Sequence, residues 1–452
     1  MVIKIEGGTV VYPEKEVQAD VWIDNDTIAA IGVANLQADK VIDARGCYVM
    51  PGAIDAHVHM QLPTPAGPSS DDFYTGSKAA ICGGTTTLID FVTPQKGQSL
   101  VDAVADRKRE AAKSLIDYSF HVSPVEWRDT TEQEIIECIN QGLRSFKIYM
   151  AYKGAVGLDD EDIKKVLQVV GRNGGMVTVH AELGDEIDDL RLKAGQNGDL
   201  SPAAHEATRP PHTESDAVKR IVDMAHEAKC PLYVVHVSTK ESLKYIVNAQ
   251  QSGQSVFAET CPHYLVLDKR VYQGSFEQTV KYVLSPPLRE EADQDALWNG
   301  LANGTVRVVG TDHCPFSFQQ KSVGKDDFRL IPNGAGGVEH RAGLLFTYGV
   351  LTGKISRSQW VDVSSTQPAK IFGLYPKKGT IAKGADADIV VWDPNAESRI
   401  SAQNHHQNTD INIYEGFTVR GAVKHLFKHG EPIIENQILQ PDIPGGTFLE
   451  RK

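Results

Sequence analysis

Nowhere in the 452 residues does an apolar run approach the ~18–20 residues needed to span a bilayer. No basic run offers a footing for a phosphate backbone. Lys and Arg number 46 against 59 Asp and Glu, a formal net charge of −13. A nucleic-acid partner held by phosphate contacts is therefore disfavoured, and so is an anionic membrane surface. Cysteine is scarce: six residues, at 47, 82, 138, 230, 261 and 314, with no CxxC pair. That fits reduced thiols in a cytoplasm better than a secreted disulfide framework. The opening MVIKIEGGTVVYPEKE alternates apolar and polar residues and lacks the long apolar centre of a signal peptide. What the chain does have is 41% hydrophobic residues, ample for a buried core. The expectation is a multi-layer globular protein of the cytoplasm.

The two ends look alike. VIKIEGGTVV, ADVWIDNDTIAAIG and KVIDARGCYVM are β-branched, alternating and broken by Gly and Asn/Asp turns, and the same texture returns from GADADIVVWD to the end. One small β-sandwich domain built from residues 1–52 and 376–452 accounts for both. The middle, 53–375, is strand-then-helix in series. Apolar runs begin near Ala53, Gly84, Ile116, Ser145, Met176, Pro231, Val256 and Val306, with helical spacing between them in SLVDAVADRKREAAKS and DEDIKKVLQVVGRNGG. The first five starts are about thirty residues apart, close to one βα unit, and eight units predict a (β/α)8 TIM-like barrel. A doubly wound open sheet is the rival, weakened because no GxGxxG follows the first strand. Two intervals, around SPAAHEATRPPHTESD and LDKRVYQGSFEQTVKYVLSPPLR, read as long functional or interaction loops.

Chemistry concentrates where the strands end. Strand one ends Asp55-Ala56-His57-Val58-His59, strand four carries Lys147, strand five ends in His180-Ala181-Glu182, strand six in His236, and strand eight in Asp312-His313. Positions i and i+2 of a strand face one side, so His57 and His59 converge. A single strand-end histidine is more often a hydrogen-bonded core residue. Six such groups on one rim are hard to explain by packing, because each must be desolvated and partnered. Imidazole and carboxylate ligands suit zinc and related divalent ions. Lys147 has two readings. It pairs with a rim carboxylate, Asp312 or Glu182, or its neutral buried amine takes up carbon dioxide, giving a carbamate able to bridge two metals ~3.5–4 Å apart.

The motifs PGAIDAHVHMQ, DDFYTGSKAAICGGTTTLIDF, SFKIYMAYKG, VTVHAELGD, PLYVVHVS, SPPLR, GTDHCPF, IPNGAGGVEHR and KKGTIAKGADADIVVWDP run nearly end to end. In these the chain resembles the cyclic amidohydrolases, in particular the dihydropyrimidinase/D-hydantoinase branch. The resemblance implies two Zn2+ per subunit. His57, His59 and Asp312 would hold one and His180 and His236 the other, with carboxylated Lys147 and a hydroxide bridging them. The hydroxide would attack the ring amide carbonyl, while Asp312 passes the proton to the leaving nitrogen. Tyr152 would stabilise the oxyanion. Backbone groups at Ser285 and Asn333 would hydrogen-bond the cyclic amide; alone, those two residues read as turn chemistry. The resemblance also implies a homotetramer or homodimer.

Absence narrows the substrate. Dihydroorotase-like relatives carry Arg two residues past the HxH to bind a carboxylate, and here Gln61 stands there. Allantoinases lack the tyrosine context that SFKIYMAYKG keeps. The expected substrate is thus a neutral cyclic amide or imide, a 5,6-dihydropyrimidine or a 5-substituted hydantoin, opened to an N-carbamoyl amino acid. The alternatives are an allantoinase-type ureide hydrolase, and a non-catalytic interaction protein like the collapsin-response-mediator relatives, which have lost ligands that this chain keeps. One departure, Glu339-His340-Arg341 where an acidic residue often follows the glutamate, puts the loop after Asn333 in question. His263 and His313 read as structural supports, and Cys314 as a buried thiol. His405, His406, His425 and His429 read as surface or packing residues, and the acidic HAELGDEIDDL as a solvated helix face. The tail PDIPGGTFLERK carries no chemistry and matches segments that in relatives can lie on a neighbouring subunit.

Overall fold

Eight short parallel strands pair in sequence order: Ala53–Val58, Thr85–Val92, Asp117–Val122, Ser145–Tyr149, Met176–His180, Leu232–Val234, Val256–Thr260 and Val308–Val309. A bridge between Val58 and His313 brings the last strand round to the first. This is the barrel expected from the spacing of apolar runs, seen in a computed structural model that describes residues 1–452. Strand two, TTTLIDFV, is buried at every position, as a strand covered on both faces must be. The intervening helices bury one stripe each. In Asp160–Arg172 that stripe is Ile163, Val166, Leu167, Val169 and Val170, at three-to-four spacing. Helix Phe73–Cys82 starts at a capping box in which Asp72 accepts from the backbone N–H groups of Tyr74 and Thr75.

The interval after strand five differs from expectation. It holds two helices, Pro202–Ala207 and Pro211–Ala228, where a loop was expected. Pro202 and Pro211 sit in the first helical turn, where a missing N–H costs nothing, so they start helices here. The interval after strand seven is broken by short turns of helix at Lys269–Tyr272, Phe276–Thr279 and Val280–Tyr282.

The terminal strands form one separate nine-stranded sheet. Its two halves meet where Tyr48–Pro51 pairs antiparallel with Ile389–Trp392. Ile3, Ile5, Val21, Ile23, Ile389 and Phe427 pack in its own core. A buried charge cluster fastens this sheet to the barrel. The Lys378 ammonium lies 2.6 Å from Asp117 of barrel strand three, 2.7 Å from Asp388 and 3.0 Å from Asp386. His429 joins from the far side, its Nε2 2.7 Å from Asp117. Asp117, Asp386 and His429 are a metal-type donor set, but the lysine ammonium already stands among the carboxylates.

The tail lies along its own barrel. Leu449 N–H donates to Tyr118 and Tyr118 N–H donates to Thr447, so residues 447–449 run beside strand three. Phe448 packs on Phe120, and Arg451 donates to the Phe120 carbonyl. No helix is long and apolar enough to cross a membrane.

Candidate metal centre

Asp55 sets the register that makes the site. Its carboxylate accepts from the Thr311 hydroxyl at 2.7 Å and from Thr311 N–H at 3.2 Å, tying strand one to the segment after strand eight. His57 and His59 thereby face Asp312. Asp312 Oδ1 is 3.1 Å from His57 Nε2 and 3.1 Å from His59 Nε2, and the two imidazole nitrogens are 3.3 Å apart. Ligands at 2.0–2.1 Å in a tetrahedron stand about 3.3 Å from one another, so these three atoms have the spacing of three tetrahedral corners. Close approach by strand eight depends on Gly310. A Cβ there would lie 2.7 Å from Glu259 Oε2 and 3.1 Å from His57 Cβ.

A second pair adjoins the first. His180 Nδ1 and His236 Nε2 face each other at 2.9 Å, and donor atoms of His57, His236 and Asp312 all lie within 4.8 Å of one another. Lys147, 1% exposed, stands over the Phe91 and Tyr149 rings, with Nζ 4.9 and 5.2 Å from their centroids. It forms no salt bridge with Asp312 or Glu182, whose carboxylates face His57 and His59, and His180 and Arg209, respectively. Burial pushes its amine down to about 8, and the nearby Asp312 and Glu259 carboxylates keep it from falling further. Burial likewise lowers His59, His180 and His236, favouring the neutral imidazoles that a metal needs. Asp312 is held well below the ordinary carboxylate range: burial opposes this, but His57 and His59 outweigh it. The donor set fits divalent metal on chemistry and on spacing.

Several supports have no signature in the sequence. Glu259, at the end of strand seven, takes His57 Nδ1 at 2.6 Å and the Tyr233 hydroxyl at 2.8 Å. An acid in the apolar run VFAET was the available clue. Glu182 is fully buried, which corrects its assignment to a solvated helix face. Its Oε2 meets His180 Nε2 at 2.8 Å and also accepts from Arg209. Although burial works against ionisation, Arg209 and His180 lower its pKa to about 2. Arg209 in turn covers Tyr152, its guanidinium carbon 5.6 Å from the ring centroid. Tyr152 has φ of 60° and sits 5.2 Å, ring to ring, from His180.

Asn333 Nδ2 donates to Ser285 Oγ at 3.0 Å, so the two segments expected to read the substrate do meet. Lys321 lies beneath them, 1% exposed, donating to the carbonyls of Val283 and Pro332 at 2.9 and 3.0 Å. The loop after Asn333 is well anchored despite its departure from the family pattern. Glu339 accepts from His406, and Arg341 reaches the Ile54 and Val309 carbonyls. His313 holds Asp71 at 2.9 Å and accepts from Gly337 N–H, a structural role as expected, and Cys314 is buried. Gln61 Oε1 accepts from Lys113, whose charge is already paired with Asp72 at 2.6 Å.

A family profile described as "Amidohydrolase family" matches residues 48–433. The chain belongs to that family. A D-hydantoinase of Geobacillus stearothermophilus is 43% identical over 99% of this chain and 96% of its own. One from Ralstonia pickettii is 41% identical over 100% and 99%. The crystal structure of a dihydropyrimidinase from Brevibacillus agri superposes with a TM-score of 0.98 at 43% identity, covering 100% of this chain and 99% of that one. The branch expected from the motifs is the branch these relatives occupy.

Proposed function

We propose that this amidohydrolase opens cyclic amides and imides, 5,6-dihydropyrimidines and 5-substituted hydantoins, to N-carbamoyl amino acids on a binuclear zinc centre. The observation that carries the reading is the tetrahedral spacing of His57, His59 and Asp312 beside a second histidine pair and a buried lysine that forms no salt bridge. His57, His59 and Asp312 would hold one ion, His180 and His236 the other, with carboxylated Lys147 between them. Bound there, the metals would polarise the ring carbonyl and supply a hydroxide near neutral pH.

The chain's own residues do the rest. Water adds across the amide: the C–N bond breaks, oxygen goes to carbon and a proton to nitrogen. Asp312 receives the proton of the attacking water and returns it to the leaving nitrogen. The Tyr152 hydroxyl donates to the oxyanion that forms on the carbonyl carbon. Backbone groups at Ser285 and Asn333 orient the ring by its amide edge, which leaves the exocyclic substituent free to vary. Family resemblance supports a homotetramer or homodimer as the active form, and the six sparse cysteines with no CxxC pair support a place in the cytoplasm.

One metal-loaded sample assayed with dihydrouracil, phenylhydantoin, allantoin and dihydroorotate tests this reading, alongside metal analysis. Ring opening of the first two with about two divalent ions per chain is expected. Turnover of allantoin alone would favour the ureide hydrolase. No turnover, with less than one ion per chain, would favour a non-catalytic member.

A further inference from the structure

Metal-type ligands gather at the C-terminal ends of the strands. At the opposite end, the starts of strands four to seven open onto a cavity of about 260 Å³, lined by Ser145, Met176, Pro231 and Ser255 among others. Three cations reach it, Arg144, Arg451 and Lys452, and no lining side chain is acidic. In a chain of net charge −13 that is a local reversal of sign.

Arg451 is the informative member. It is 2% exposed, yet its guanidinium Nε has no hydrogen-bond partner, and its one side-chain bond runs to the neutral Phe120 carbonyl. Burial pushes it down to about 9, and no carboxylate offsets that. The other buried arginines, Arg107, Arg209, Arg289 and Arg341, each have a carboxylate within 4 Å. A buried guanidinium left without an anion is costly. Arg144 is exposed at the rim, and its Nη1 would stand 3.8 Å from a Cβ built on Gly174. Phe257 and Phe372 add apolar lining, with the Arg451 guanidinium carbon 5.9 Å from the Phe372 ring centroid.

We propose that this pocket on the barrel floor binds a small oxyanion, a carboxylate or a phosphate, between Arg451 and Arg144, away from the chemistry. The ligand serves as counter-ion to Arg451 and strengthens the hold of the tail on strand three. The site is independent of the proposed reaction and stands or falls without it.

The test is titration calorimetry and thermal unfolding of the full metal-loaded chain, with inorganic phosphate and with benzoate, at constant ionic strength. Either anion is expected to bind and to raise Tm by a few degrees, since a ligand of the native state alone stabilises it. Arg144→Gln, at the exposed rim, should weaken that binding at least tenfold while leaving kcat unchanged. Benzoate binding more tightly than phosphate would identify an organic carboxylate as the ligand, and the reverse order a phosphate. Arg451→Gln should also abolish binding. Should that variant lose its tail and unfold early, Arg144→Gln alone decides. Absence of binding by both anions, or affinity unchanged in Arg144→Gln, would overturn the proposal.

Discussion

Glu259 Oε1 lies 2.6 Å from Nδ1 of His57, both side chains fully buried. With Nδ1 so engaged, Nε2 is the nitrogen turned toward His59 and Asp312. Burial disfavours the charged imidazole, but Glu259 and Asp312 overcome it and raise His57 to about 9, so an arriving ion displaces a proton from it. Glu259→Gln keeps the shape and removes the charge. It should weaken metal affinity about 10–100-fold, read by competition with a chromogenic chelator.

Lys147→Ala removes the only amine beside the histidines. It should lower metal content below two ions per chain and activity by roughly 10²-fold or more. Acetate or propionate should restore part of the activity by standing in for the proposed carbamate. Unchanged activity would remove the bridging role.

Tyr152→Phe keeps the ring beside His180 and deletes the hydroxyl. If the hydroxyl meets the oxyanion, kcat falls about tenfold or more with metal content unchanged. A rise in KM alone would assign Tyr152 to substrate positioning.

Lys321→Met removes the donor that ties the Val283 and Pro332 carbonyls together; Val283 keeps the Gly334 N–H at 3.1 Å, and Pro332 is left without a partner. A buried acceptor so orphaned costs about 1–3 kcal/mol. The loss falls on the segments that carry Ser285 and Asn333, so KM should rise several-fold more than kcat drops, with metal content intact. Steady-state kinetics beside metal analysis separate this from damage to the centre.

His429 donates to Asp117, and this hydrogen bond holds its imidazole above the ordinary value. A raised folded-state pKa means the contact contributes in full below about pH 6.5 and fades as pH rises through the raised value. The Tm difference between the protein and His429→Gln should therefore be larger at pH 6 than at pH 9. An equal difference at both would mean that the proton is not linked to folding.

The strands and the inward-facing ligands were legible because period-two alternation and strand ends are local signals. His57 and His59 declare themselves two residues apart. Glu182, Arg209 and Lys321 do not, since each acquires its meaning from a partner brought near only by folding. Arg209 sits in ATRPP, where proline chemistry suggests a loop, and it does lie in the short turn between helices Pro202–Ala207 and Pro211–Ala228; only the fold shows that this turn is buried against Glu182. The tail was silent for the same reason. Its pairing with strand three and the burial of Arg451 depend on a groove the barrel must first create.

The seam between Tyr48–Pro51 and Ile389–Trp392 joins the start of the chain to its end. On the ribosome the first five strands emerge with that edge open, and its partner strand follows only after the whole barrel has been made. Loop-closure entropy grows slowly with length, so the native seam loses little stability from this separation. What it costs is time, during which an unpaired edge is exposed to other nascent chains. The terminal sheet is therefore the last part to close and the first place where folding yield would be lost.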